Sequence, residues 1–188
     1  MSICGHDAIT MEPNALGFLY PKVNLDKCVD CKLCEKVCAF NDHYDTSLNL
    51  PTPDVYGARH KDPKQVASSR SGAAFIAISD WILNHGGVIY GVGYADHFRV
   101  VHKRATTKEE RDELKGSKYV QSDLDHIFRQ VKQDLREGRI VLFSGICNTL
   151  QKSILSVTNL KKSTLSMASN TFTTSTVKKV GDLKLRSS

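Results

Sequence analysis

Four cysteines fall within eleven positions, in the order Cys28-Val-Asp-Cys31-Lys-Leu-Cys34-Glu-Lys-Val-Cys38. Thiolates at every third residue wrap a short loop around one corner of a cube, so this spacing offers a sulfur to each of three irons of a 4Fe-4S cluster. The last cysteine of such a run points elsewhere. In proteins with two clusters it ligates the second, and the fourth ligand of the first arrives from a separate motif. Cys4 is available for that role, which makes Cys4, Cys28, Cys31, Cys34 and Cys38 the candidate metal ligands. Zinc is the alternative metal, but its sites commonly use two ligand pairs separated by about a dozen residues or more, and here four cysteines are crowded together. Structural disulfides, disfavoured in a reducing cytosol, and unligated thiols are the remaining readings.

The stretch Ser2-Ile3-Cys4-Gly5-His6-Asp7-Ala8-Ile9-Thr10-Met11 reads as the end of a preceding cysteine motif. In that register the previous cysteine would lie one position before Met1. The expectation is therefore a motif cut short at its start, with the three partners of Cys38 missing and at most one cluster per chain. A free N-terminal thiol is the other reading of Cys4.

Residues 8–11 and 18–23 read as two strands joined by the turn Glu12-Pro13-Asn14-Ala15-Leu16-Gly17, a hairpin that would carry Cys4 back toward Cys28. Lys27, Lys32 and Lys36 flank the cysteines, either favouring thiolates or forming a solvated face. Residues 40–64 are rich in Asn, Asp, Thr and Pro and read as a linker; His43 and His60 fall in it and are assigned no role. A helix is expected over 72–84 with Ser69 and Ser71 as caps, then a strand over 88–94 with a hairpin partner over 98–102. Gly91 and Gly93 lack the third glycine of a dinucleotide fingerprint, and close packing within a strand explains them better. Thr107 opens a short charged helix reaching about residue 114. Ser122 is the expected cap of an amphipathic helix over 123–137, with Leu124, Ile127, Phe128, Val131 and Leu135 on one face and Gly138 as its stop. Residues 139–143 follow as a buried strand, so that helix, turn and strand suggest an α/β unit with a functional loop at the strand's carboxyl end.

The chain has 188 residues, 40% of them hydrophobic, enough for one domain or for a small module with a larger one. Cys4, His6, Asp7 and Glu12 interrupt the start where a signal peptide would be apolar. The longest apolar run, 72–83, contains Asp80 and is too short to span a bilayer. A cytoplasmic protein without a membrane partner is expected. The net charge of +6 sits entirely in the tail: residues 1–145 hold 19 Lys plus Arg against 19 Asp plus Glu, and residues 146–188 hold 7 against 1. That tail has one aromatic, Phe172, and no dense basic cluster, which argues against nucleic acid as a partner.

Residues Asp26-Lys27-Cys28 through Cys38 resemble the second cysteine motif of bacterial-type two-cluster ferredoxins, with Ala39 where proline is usual. Residues 68–145 are similar to the N-terminal domain of the coenzyme F-420 hydrogenase/dehydrogenase beta subunit family, in which such a ferredoxin module often precedes this domain. Four patches carry the likeness: Ser69-Arg70-Ser71-Gly72, Gly86-Gly87-Val88-Ile89-Tyr90-Gly91, Gly116-Ser117-Lys118-Tyr119-Val120-Gln121-Ser122 and Val141-Leu142-Phe143-Ser144-Gly145. The resemblance implies an α+β protein that relays electrons between a 4Fe-4S cluster and a flavin, FAD, with a redox protein, deazaflavin or flavin as partner. It points to Ser71, Gly72, Ser117 and Lys118 for cofactor contact, Lys118 as the residue to neutralise a pyrophosphate or the flavin's negative charge; an exposed turn lysine is its plain alternative. The domains expected are a partial ferredoxin-type module (1–41), a linker (42–67), the first part of the flavin-handling domain (68–145) and a tail (146–188). Where the family continues Gly-Thr-Pro-Cys-Gln, this chain reads Gly145-Ile146-Cys147-Asn148-Thr149 and turns rich in Ser and Thr, so a disordered or frame-shifted tail is expected. A simple ferredoxin-like carrier and a zinc-stabilised binding module are the alternative functions.

Overall fold

The computed structural model describes residues 3–36, 38, 57–70, 72–145 and 165–169. Its fold is α+β, with a two-stranded sheet near the N terminus and a four-stranded mixed sheet beyond it.

The first sheet is the expected hairpin. Strands β1 (Ile9–Pro13) and β2 (Leu19–Val23) pair antiparallel, Ile9 opposite Val23 and Pro13 opposite Leu19. Asn14 closes the turn through its side chain, which accepts from the Leu16 and Phe18 amides at 3.0 and 2.9 Å, while Gly17 takes a φ of 82° that suits glycine. After the hairpin the cysteine loop leads into one helical turn, α1 (Leu33–Lys36).

The expected linker contains a helix, α2 (Pro63–Ala67). Its start is encoded locally: the Asp62 side chain accepts from the Lys64 amide at 2.9 Å, and Pro63 occupies the first helical position, where its missing N–H costs nothing. Residues 39–56, with His43, lie outside the described residues; His60 holds the Asp62 amide through Nδ1 at 3.0 Å.

Helix α3 (Ala74–Asn84) begins without the expected serine cap. Ala73, in the left-handed region, stands at the cap position with no side-chain bond, and Ser71 lies outside the described residues. Gly72 is required here for a different reason. A Cβ on it would sit 2.1 Å from the Ala58 carbonyl oxygen, because residues 58 and 59 cross directly over it.

Strands β3 (Val88–Tyr94) and β4 (Val100–Ala105) pair antiparallel, and β3 also pairs in parallel with β5 (Val141–Gly145). The partner strand begins later than its pattern suggested, because Asp96–Phe98 form a 3-10 turn in which His97 and Phe98 have positive φ. Gly91 and Gly93 make room for packing: a Cβ on either would come within 3.2 Å of Leu114. Helix α4 (Lys108–Asp112) starts in a full capping box of Thr107 and Glu110.

Helix α5 (Ile127–Arg136) begins four residues after the expected start. Asp123, in the expected first turn, instead bridges to the free edge of β4: its amide donates to the Val100 carbonyl at 2.8 Å, and its carbonyl accepts from the His102 amide at 3.0 Å. Ser122 is thereby turned toward His102, with Oγ 2.8 Å from Nδ1, and caps nothing.

The sheet is covered on both faces. Val88, Tyr90, Val141 and Phe143 meet Ile127, Phe128, Val131 and Leu135 of α5 on one side; Ile89 and Leu142 meet Ile82 of α3 and Leu114 on the other. The alternation along β3 and β5 is what a strand of period two buried on both faces produces. Two polar clamps fix the layers. Both oxygens of buried Asp134 accept from Arg104 at 2.8 Å, and the Tyr90 hydroxyl donates to the same carboxylate. The Arg104 hydrogen bonds hold the Asp134 carboxyl below its usual range, whereas burial first, and then Asp134, push the Tyr90 phenol up. On the opposite face, buried Arg111 donates to Asp80 and Asp112 at 2.8 Å each, tying α4 to α3.

Within the tail, residues 165–169 are described, and they form a strand, β6 (Leu165–Ser169), parallel to β5. The remainder of the expected disordered or frame-shifted tail, with Cys147, lies outside the described residues. No helix among the described residues is long and apolar enough to cross a membrane.

Candidate functional site

The cysteine segment is an open loop. Cys28 and Cys31 are exposed, Cys4, Cys34 and Cys38 half-buried, and all five are free of disulfides. Asp30 and Lys32, on either side of Cys31, have φ of 50° and 59°, so the chain reverses locally there. The charge of Lys32 is shared with Asp30 at 3.7 Å and Glu35 at 3.8 Å, which leaves less of it for a neighbouring thiolate.

The Cys4 segment is linked to this loop by a relay of hydrogen bonds. The Cys4 Sγ accepts from the Ala8 amide at 3.4 Å, the Ala8 carbonyl accepts from the Asn24 amide at 2.8 Å, and the Asn24 carbonyl accepts from the Cys28 amide at 3.1 Å. The hairpin between them closes this path. Among the described residues, no three Cys, His, Asp or Glu side chains converge as a metal-binding group. The donor set still suits an iron-sulfur cube in kind: free thiols, three of them at the required spacing on an accessible loop, and a fourth on the segment hydrogen-bonded to the start of that loop.

The second feature is a cleft of about 270 Å³ at the carboxyl end of β3. Ser68, Ser69, Arg70, Tyr94, Lys115, Gly116, Ser117 and Lys118 line it. Residues from two of the four patches, far apart in the chain, thus line one cleft. Lys118 is buried, at 7% exposure, which removes the reading of it as an exposed turn lysine. Its Nζ donates to the Lys115 carbonyl at 2.8 Å and lies 5.6 Å from the centre of the Tyr94 ring. Burial, and then the like charge of Lys103, push its pKa down. Gly72 does not line the cleft; it serves the close crossing of residues 58 and 59.

Tyr94, Ser68 and Lys115 were not among the residues singled out from the sequence. The signal for Tyr94 was its place at the carboxyl end of a parallel strand, where open α/β sheets bind ligands.

One segment, 116–122, serves both features. Beyond Lys118 it carries Gln121, whose Oε1 accepts from the Leu19 amide at 2.6 Å and whose Nε2 donates to the Leu19 carbonyl at 3.2 Å. The cysteine-bearing hairpin is further held by Ile3 packed against the α5 face of the core and by Arg129 paired with Asp7 at 3.0 Å. Comparison with known protein families and with curated proteins finds no match for this chain.

Proposed function

We propose that this chain is an iron-sulfur electron-relay subunit of the coenzyme F-420 hydrogenase/dehydrogenase beta subunit type, working in the cytoplasm. Cys28, Cys31 and Cys34 hold a single 4Fe-4S cluster with Cys4 as the fourth ligand. Bound there, the cluster supplies a one-electron centre. The flavin-handling half contributes Ser117 and Lys118, which line the cleft, and the redox partner is a protein, a flavin or a deazaflavin. The observation that supports this reading is the run of hydrogen bonds from the Cys4 sulfur through Ala8 and Asn24 to the Cys28 amide, which ties the Cys4 segment to the start of the cysteine loop.

The protein's own groups have simple tasks in this scheme. The hairpin positions Cys4, the left-handed residues Asp30 and Lys32 shape the loop, and Gln121 keeps the module against the domain that carries the cleft. A second reading, a ferredoxin-like carrier whose downstream domain only docks partners, is favoured by the small cleft, since sites for drug-sized ligands run from about 300 to 1,000 Å³. Anaerobically purified protein distinguishes them. A visible absorption band that bleaches with dithionite, together with flavin released on denaturation, supports the relay; the same band without flavin selects the carrier. Zinc in place of iron and sulfide contradicts both.

A further inference from the structure

We propose that the exposed aromatic strip formed by β2 and the segments 94–98 and 119–120 is a self-complementary interface through which two copies of this chain form a dimer.

Exposed apolar side chains are not scattered over this protein. Among the described residues, every large one lies on residues 11–33 or on the segments 94–98 and 119–120. Singly exposed apolar residues need no explanation, but a concentration of them marks a contact surface. The two regions meet at Gln121, whose side chain bonds both backbone groups of Leu19. Phe18 and Tyr20, on either side of Leu19 in the chain, share the face of β2 opposite to it. The other two segments converge as well. The bridge between Asp123 and Val101 is parallel, so Tyr119 and Val120 lie toward the same end of β4 as Phe98. Phe98 in turn meets Tyr94 edge to face, with ring centres 6.5 Å apart.

Phe98 is held outward at a cost. His97 and Phe98 both take left-handed φ, 56° and 58°, a conformation that bulky side chains rarely adopt. Yet Phe98 is 87% exposed, so burial within its own chain does not offset the strain, whereas a partner surface would.

Two properties select a second copy as the occupant. The first is area: Phe18, Tyr20, Tyr94, Phe98 and Tyr119 are half to nine-tenths exposed. At about 200 Å² per aromatic side chain, these and Val120 present roughly 750 Å², close to the roughly 800 Å² that each partner gives to a standard interface. The second is charge. A two-fold contact sets the patch against itself, so an excess of one sign would meet the same sign. Here Glu12 pairs with Lys22 at 3.0 Å and Asp123 with Arg99 at 3.8 Å, which leaves Asp96 as the single carboxylate on the strip without an ion pair among the described residues. A partner steered to this face by charge would require a rim of one sign.

Sedimentation equilibrium of the anaerobically purified 188-residue protein tests the interface. A reversible rise with concentration from 20.9 kDa to twice that mass is expected. Phe98→Ser and Tyr119→Ser should each weaken dimerisation about tenfold or more. Neither side chain is packed in the core, so the urea midpoint of the monomer should stay at the parent's value. Leu25→Ser, an exposed position on the cysteine loop outside the strip, should change dimerisation less than about threefold. A protein that stays monomeric up to about 100 µM, a mass that keeps growing beyond the dimer, or equal losses in Leu25→Ser and the strip variants overturns the proposal. Protection of the Tyr119 and Val120 amides from hydrogen exchange in the monomer also overturns it, because the chain would then cover the strip itself.

Discussion

Cys4 and Cys28 are joined by a continuous run of hydrogen bonds that passes from the Cys4 sulfur through Ala8 and Asn24 to the Cys28 amide. The β1–β2 hairpin makes this link possible, because its last pair, Ile9 opposite Val23, sets Ala8 beside Asn24. Cys38 lies beyond α1, its amide bonded to the Glu35 carbonyl at 3.1 Å. The two cysteines should therefore behave differently. Cys4→Ser is expected to lose the cluster or degrade it to a three-iron form, and Cys38→Ser to retain about four irons per chain. Iron analysis of the two variants reads this out, and the reverse pattern would show that the ligand assignment is wrong.

The Gln121 side-chain carboxamide satisfies both backbone groups of Leu19 in β2, accepting from its amide and donating to its carbonyl. Replacing Gln121 by alanine should loosen the hairpin without unfolding the core, at a cost of about 1 kcal/mol. Hydrogen exchange at the Leu19 amide should then accelerate about fivefold, while amides of β3 and β5 keep their protection. Unchanged exchange at Leu19 would mean that the module is held by other contacts, such as Ile3 and Arg129.

Buried His102 stacks on Phe143 with ring centres 5.0 Å apart, and its Nε2 has no hydrogen-bond partner. Burial pushes its pKa down to about 4. In the unfolded chain the imidazole takes up its proton near pH 6.5, so between these values the unfolded state binds more protons. Stability should be complete above about pH 6.5 and fall by up to about 3 kcal/mol as pH drops toward 4. Urea unfolding across that window measures it, and His102→Leu should flatten the slope. A wild-type profile without a slope would indicate that His102 titrates normally in the fold.

The elements whose partners lie close in sequence were legible in it. The hairpin, the capping box of α4 and the apolar face of α5 all follow from turn residues, caps and periodicity within a few positions. The start of α5 was not, because Ser122 has the chemistry of a cap but is drawn to His102 when Asp123 joins the edge of β4. Gly72 shows the same limit from the other side: the resemblance points to it for cofactor contact, whereas its lack of a side chain answers to the crossing of residues 58 and 59. The resemblance points to Ser117 and Lys118, which line the cleft, while the burial of Lys118 and the presence of Ser68, Ser69 and Arg70 in the same lining depend on contacts between distant segments that local sequence does not display.

Gly72→Ala should consequently destabilise the fold by about 2–3 kcal/mol, since a methyl group there meets backbone that cannot move aside as a flexible side chain would. The His60 amide, which donates to the Gly72 carbonyl at 2.7 Å, should lose protection with it. A variant as stable as the parent would show that residues 58 and 59 do not press on this glycine.

If Cys4, Cys28, Cys31 and Cys34 hold one iron-sulfur cube, its metal content is the decisive readout. Iron and acid-labile sulfide analysis of the anaerobically reconstituted chain, combined with electron paramagnetic resonance after dithionite reduction, should give about four irons and about four sulfides per chain and one reducible 4Fe-4S signal. About eight irons per chain, or a stoichiometric zinc site with no sulfide, would contradict it.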